Sequence, residues 1–132
     1  MTKYQAAMKE FDDARNRLED VLREEKTEFI RDAAIKRFEL VFDLAWKTIK
    51  AFLKEQGVSC ASPMGCFREA YRQGILEYED FWIEMVNIRN KTTHTYAAKL
   101  AEEVYAELPQ TLIAFEKLAE SLRGIEDLKS GK

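Results

Sequence analysis

Between Thr27 and Gly57 runs a single helical pattern that carries two apolar stripes, and a chain built round such a segment has few ways to fold. One stripe is Ile30, Ala34, Phe38, Val41, Ala45, Thr48 and Phe52, and the other is Ile35, Phe42, Trp46, Ile49 and Leu53. Thr27 offers the hydroxyl of an N-cap and Gly57 the residue that stops a helix. At roughly 1.5 Å per residue the segment is about 45 Å long. A surface helix needs one apolar stripe. Two stripes mean a central helix with a neighbour on each side, or a helix whose aromatic face meets a second subunit, and the two are compatible.

The flanking sequence supplies the neighbours. From Lys3 to Glu24, Tyr4, Ala7, Met8, Phe11, Ala14, Leu18, Val21 and Leu22 recur at steps of three and four, with acids and bases on the other side. Gly57 to Ala61 reads as a connector, after which Ser62-Pro63 predicts an N-cap followed by proline in the first turn of a short helix closed by Gly74. Another helix begins near Glu79-Asp80 and runs to Lys91 or Thr92, where two threonines weaken helix propensity. From Ala97 to Leu122 the residues Leu100, Val104, Leu108, Leu112, Phe115, Leu118 and Leu122 face inward, and Pro109 is expected to kink that helix or start a new one. With only 5 Gly and 2 Pro in 132 residues, long helices are favoured over short strands. The predicted fold is all-α, an antiparallel up-and-down four-helix bundle with an extra short helix. It forms a single domain over residues 1–124, with a polar, frayed tail over 125–132.

Several classes of function are set aside at this level. No run of about 18 apolar residues is present, so no membrane span is expected, and the first residues do not resemble a signal-peptide core. A cytoplasmic location follows as the simple expectation. A net charge of −3 argues against a broad non-specific nucleic-acid footprint but leaves room for a local basic rim, for which Arg68, Arg72, Lys91 and Lys99 are candidates. Cys60 and Cys66, with one distant histidine, match no zinc spacing and are expected to be separate thiols in a reducing cytosol. No metal site, Gly-rich phosphate loop or serine triad is indicated, and no cofactor is expected.

The one histidine concentrates attention on Arg89-Asn90-Lys91-Thr92-Thr93-His94-Thr95-Tyr96. On an ideal helix Asn90 and His94 share a face, while Arg89 lies about 140° round from His94. Arg89 and His94 therefore converge only if the helix ends between them or if a second copy supplies one of the groups. Arginine and histidine together suit a phosphodiester. The planar guanidinium holds non-bridging oxygens, and an imidazole moves the proton of a ribose 2′-hydroxyl or of the leaving oxygen near neutral pH.

Beyond that motif, the stretches Phe38-Glu39-Leu40-Val41-Phe42-Asp43-Leu44-Ala45-Trp46-Lys47, Ser62-Pro63, Phe67-Arg68-Glu69-Ala70, Gly74-Ile75-Leu76 and Trp82 occur in order along the chain. Together they resemble the HEPN superfamily, specifically the nucleotidyltransferase substrate-binding proteins that are the toxin halves of HEPN/MNT toxin–antitoxin pairs. The resemblance covers nearly the whole chain. The family signature is Arg, four to six residues, then His, often with a polar residue after the Arg and a Tyr two residues beyond the His. Arg89, Asn90, His94 and Tyr96 match it.

The resemblance implies a homodimer whose Arg/His sets meet across the interface. It also implies metal-independent cleavage of RNA, with Arg89 on phosphate, Asn90 orienting the site and His94 moving a proton. A minimal nucleotidyltransferase antitoxin is implied as partner, attaching AMP to Tyr96, with ATP as that partner's substrate. Two other readings remain: a non-catalytic interaction subunit that presents Tyr96 to the transferase, and a purely structural bundle with no partner.

Overall fold

The Thr2 hydroxyl accepts from the Gln5 amide at 3.0 Å while the Gln5 side chain accepts from the Thr2 amide at 3.0 Å, a reciprocal cap that starts the first helix. The computed structural model describes residues 1–129, which form α1 (Lys3–Leu22), α2 (Glu28–Glu55), α3 (Pro63–Arg72), α4 (Glu79–Lys91), a one-turn 3₁₀ helix (Thr92–His94) and α5 (Ala98–Lys129). Among the described residues there is no strand. The starts expected from sequence hold: Thr27 Oγ1 accepts from the Ile30 amide at 3.0 Å, and Ser62 Oγ accepts from the Gly65 amide at 3.1 Å with Pro63 in the first turn. Gly57 and Gly74 take positive φ, +81° and +79°, and so end α2 and α3 in a conformation open to glycine.

Contacts at the helix ends fix the directions. Tyr4 at the start of α1 packs on Phe52 near the end of α2, with ring centroids 5.4 Å apart, so these two helices run antiparallel. Arg31 near the start of α2 reaches Glu102 near the start of α5, and Lys129 at the end of α5 lies over Phe52, so α5 runs alongside α2 in the same direction. Each long helix thus reverses the one before it, with α3 as the extra short helix, and the expected all-α bundle is what forms.

The two stripes of α2 are both covered by the chain itself. Ala34, Phe38, Val41, Ala45, Thr48 and Phe52 are buried on one side and Ile35, Phe42, Ile49 and Leu53 on the other, leaving Ile30 and Trp46 partly exposed. Rings knit the five helices together: Phe42 to Phe67 at 5.7 Å, Phe67 to Trp82 at 4.8 Å, Trp82 to Phe115 at 5.9 Å, and Phe115 to both Phe38 and Phe11 at 6.1 Å. Offset and edge-on contacts of this kind add about 0.5–1.5 kcal/mol per pair beyond burial. This network fixes α4 between α3 and α5, and α4 carries the motif at its far end.

Two expectations are corrected and one, at Pro109, is narrowed. Cys60 and Cys66 are joined by a disulfide instead of standing as separate thiols. Because α3 begins at Pro63, Cys66 turns back over the connector and the two Cα atoms lie 5.1 Å apart, a separation that a bridge requires. Pro109 does not start a new helix, since α5 runs through it. The proline ring faces solvent, while buried Leu108, Thr111 and Phe115 hold the following turn in register, with Thr111 Oγ1 donating to the Leu108 carbonyl at 2.7 Å. Nor does the helix stop at Gly124: α5 continues to Lys129, with Ile125 packed on the core and Lys129 Nζ donating to Gln56. The rest of the expected tail, residues 130–132, lies outside the described residues. No helix of the described residues is long and apolar enough to cross a membrane.

Candidate functional site

Three threonine hydroxyls end α4. Thr92 Oγ1 donates to the Arg89 carbonyl at 2.7 Å, Thr93 Oγ1 to the Asn90 carbonyl at 2.9 Å, and Thr95 Oγ1 to the Thr92 carbonyl at 3.1 Å. The last carbonyls of a helix have no partner on the ladder, and side chains that donate to them close the helix. The α-helix stops at Lys91 and tightens into the 3₁₀ turn, whose exit is held by the Ala97 amide on the His94 carbonyl at 3.2 Å. The boundary between Arg89 and His94 that their angular separation demands is therefore present.

This ending sorts the motif into two groups. The Arg89 side chain is one-third exposed; its Nη1 donates to Thr92 Oγ1 at 3.2 Å and lies 3.9 Å from Glu39 Oε2 on α2. Arg89 and Lys91 both sit in the last turn of α4, where the negative end of the helix dipole favours cations. His94, the last residue of the turn, is exposed, and its ring meets that of Tyr96 edge-on, with centroids 6.1 Å apart and planes at 77°. Tyr96 is 87% exposed. The Asn90 side chain is exposed and makes no hydrogen bond among the described residues. Arg89 and His94 thus come from the same helix end, but within one chain Arg89 is held by Thr92 and Glu39 while His94 is paired with Tyr96.

The segment is anchored from the opposite side. Arg31, 8% exposed, donates to Glu102 Oε2 at 3.1 Å and to Asp32 Oδ1 at 3.0 Å, and Lys26 also donates to Glu102. Hydrogen bonds from Lys26 and Arg31 hold the Glu102 carboxyl below the usual carboxylate range. The start of α5, two residues after Tyr96, is thereby tied to the α1–α2 connection and the first turn of α2. Of the basic residues considered for a rim, Arg72 is paired with Glu69 on its own helix at 3.2 Å, whereas Arg68, Lys91 and Lys99 are exposed.

Among the described residues no group of His, Cys, Asp and Glu is arranged to hold a metal ion. A cavity of about 690 Å³ lies at the other end of α4, where Tyr78, Phe81 and Trp82 face Ile113, Lys117 and Ser121 of α5. It includes none of Arg89, Asn90, His94 or Tyr96. Two residues at the site were not singled out from sequence. Glu39 lies on another helix, beyond the reach of spacing rules, and Thr92 was read only as a weak helix former. The one signal that could have found them is their place in the family-like stretches, where Glu39 falls in the α2 block and Thr92 within the motif.

With this geometry in hand, residues 1–124 match the family model described as "Nucleotidyltransferase substrate binding protein like". The chain belongs to this family. A relative from Haemophilus influenzae, "Probable ribonuclease HepT", is 33% identical over 96 residues, which span 68% of this chain and 65% of that protein. The chain is also similar to a crystal structure of a Thermus thermophilus protein, at a TM-score of 0.81 and 34% identity, covering 86% of this chain and 98% of the other. A second solved structure, from Haemophilus influenzae and described as the fold of a substrate binding domain of a nucleotidyltransferase, matches at a TM-score of 0.69 and 26% identity, covering 91% and 96% respectively. Together these place the chain in the HEPN group of nucleotidyltransferase substrate-binding proteins and bear out the resemblance read from the motif stretches.

Proposed function

We propose that the protein is a HEPN-type toxin, a metal-independent endoribonuclease controlled by modification of Tyr96. The observation that carries this reading is the end of α4, which places Arg89 and His94 on either side of one helix terminus with Tyr96 exposed on the next turn. The ribonuclease name of the Haemophilus influenzae relative supports the reaction class. In this reading Arg89 binds the non-bridging oxygens of an RNA phosphodiester and Asn90 orients the chain across them. His94 takes the proton of the 2′-hydroxyl, whose oxygen attacks phosphorus. The P–O5′ bond breaks, leaving a cyclic phosphate on one fragment and, once the leaving oxygen gains a proton from a second imidazole or from water, a 5′-hydroxyl on the other.

Because no hydrogen bond or ion pair links Arg89 to His94 among the described residues, a homodimer is proposed to bring the Arg89 and His94 of two copies around one phosphodiester. Lys91 within the motif and Lys99 just beyond it supply local positive charge despite the net charge of −3. The proposed partner is a minimal nucleotidyltransferase that transfers AMP from ATP to the Tyr96 oxygen with release of pyrophosphate, and the family description supports such a partner. An adenylyl group on Tyr96 sits against His94, since the two rings are already in contact, and blocks its access to RNA.

The 87% exposure of Tyr96 equally favours a second reading, in which the chain presents this tyrosine to the transferase without cutting RNA itself. The experiment that separates the two is RNA cleavage in excess chelator before and after incubation with the transferase and ATP, with mass spectrometry locating the added AMP. Cleavage that is lost as Tyr96 gains AMP supports the toxin. AMP on Tyr96 with no cleavage in either state supports the presenting subunit.

A further inference from the structure

The Arg89 guanidinium is gripped on one edge only. Thr92 is buried, 6% exposed, and its hydroxyl spends its single proton on the Arg89 carbonyl at 2.7 Å. Only lone pairs are left toward Arg89, and Nη1 donates to them at 3.2 Å. The same Nη1 lies 3.9 Å from Glu39 Oε2. Glu39 stands on α2 between buried Phe38 and Val41, so its position is set by the core and not by the motif. Nη2 and Nε make no hydrogen bond among the described residues, which leaves the guanidinium a fork of N–H groups for a phosphate. A partly exposed ion pair contributes only about 0–1 kcal/mol to stability, so the consequence of this arrangement is orientation.

We propose that Glu39 and Thr92 are positioning residues that fix Arg89 to receive a phosphodiester, an inference that rests on the reading of Arg89 as the phosphate-binding group. Thr92 folds the arginine back along its own helix end, and Glu39 draws it toward α2, so that two different elements determine where the free edge points. Without either, the side chain regains its rotamers and the phosphate must be found by a moving group, which costs rate more than binding.

The test uses the full chain with four substitutions: Thr92→Val, Thr92→Ser, Glu39→Gln and His94→Ala. Thermal melting establishes that each variant folds. The ¹⁵N relaxation of the Arg89 Nε–H group then reports the positioning itself. The expected result is a rigid side chain in the parent and in Thr92→Ser, with order parameters falling below about 0.6 in Thr92→Val and Glu39→Gln. In metal-free RNA cleavage the same two variants lose about ten- to a hundredfold in kcat, with KM changed much less, and Thr92→Ser restores the rate. Equal order parameters in the parent, Thr92→Val and Glu39→Gln would overturn the proposal. If the parent, like His94→Ala, cuts no RNA, the ribonuclease reading falls, while the relaxation result still decides whether Glu39 and Thr92 hold Arg89.

Discussion

At the residue scale the chain sets two tyrosines in opposite environments. Tyr4 is 3% exposed and its hydroxyl has no hydrogen-bond partner among the described residues. Burial, with smaller contributions from Glu126 and Glu55, pushes its pKa up to about 12. A raised folded value means that the folded state holds this proton more tightly than the unfolded chain does. The stability it contributes is full below the unfolded value of 10.0 and is lost as pH rises through about 12. Spectrophotometric titration at 295 nm should show one tyrosine ionising near pH 12, and Tyr4→Phe should remove that step. Tyr96, by contrast, is 87% exposed, so Tyr96→Phe should leave the melting temperature unchanged within error while abolishing AMP transfer, checked by calorimetry and intact mass. The motif residues were legible in sequence because the chain has one histidine and an arginine at a recognisable offset from it. Glu39 was not, because its relation to Arg89 exists only after two helices pack.

At the scale of elements, the ends of helices carry most of the information. The caps at Thr27 and Ser62, the glycine stops at Gly57 and Gly74 and the threonine-closed end of α4 are local chemistry, and sequence placed each of them to within a residue or two. The errors came where tertiary contacts override local preference. Pro109 lies within α5 between buried Leu108 and Thr111, and the helix runs past Gly124 with buried Leu122 before it and partly buried Ile125 after it. The Cys60–Cys66 bridge arises from a fold-back that a search for zinc spacing does not test. Phe115 touches rings from three other helices, so Phe115→Ala should cost about 3–5 kcal/mol in denaturant unfolding. The tie between α2 and α5 responds to acid. Glu102 is held below its ordinary value of 4.5 by Lys26 and Arg31, so its contribution is present above that pH and fades as pH falls below it. Acid unfolding of Glu102→Gln should begin from a lower plateau and show a shallower pH dependence below 4.5 than the parent.

At the scale of the molecule, α2 is the axis on which the rest is assembled. Its two largely covered stripes explain why five helices suffice for a closed core, with Trp46 left partly exposed. A second copy is proposed because Arg89 and His94 contact different neighbours at the end of α4, Thr92 and Glu39 for the one and Tyr96 for the other. The central claim is that this helix end cuts RNA with Arg89 and His94 and without a metal ion. Its most direct test is cleavage of a defined RNA in excess chelator by the purified unmodified protein, the Arg89→Ala variant and the His94→Ala variant, each verified as folded. Cleavage by the parent to a cyclic phosphate and a 5′-hydroxyl, falling at least about a hundredfold in both variants, is the predicted result. Cleavage by His94→Ala at the parent rate, or by the parent only when divalent metal is added, would contradict it.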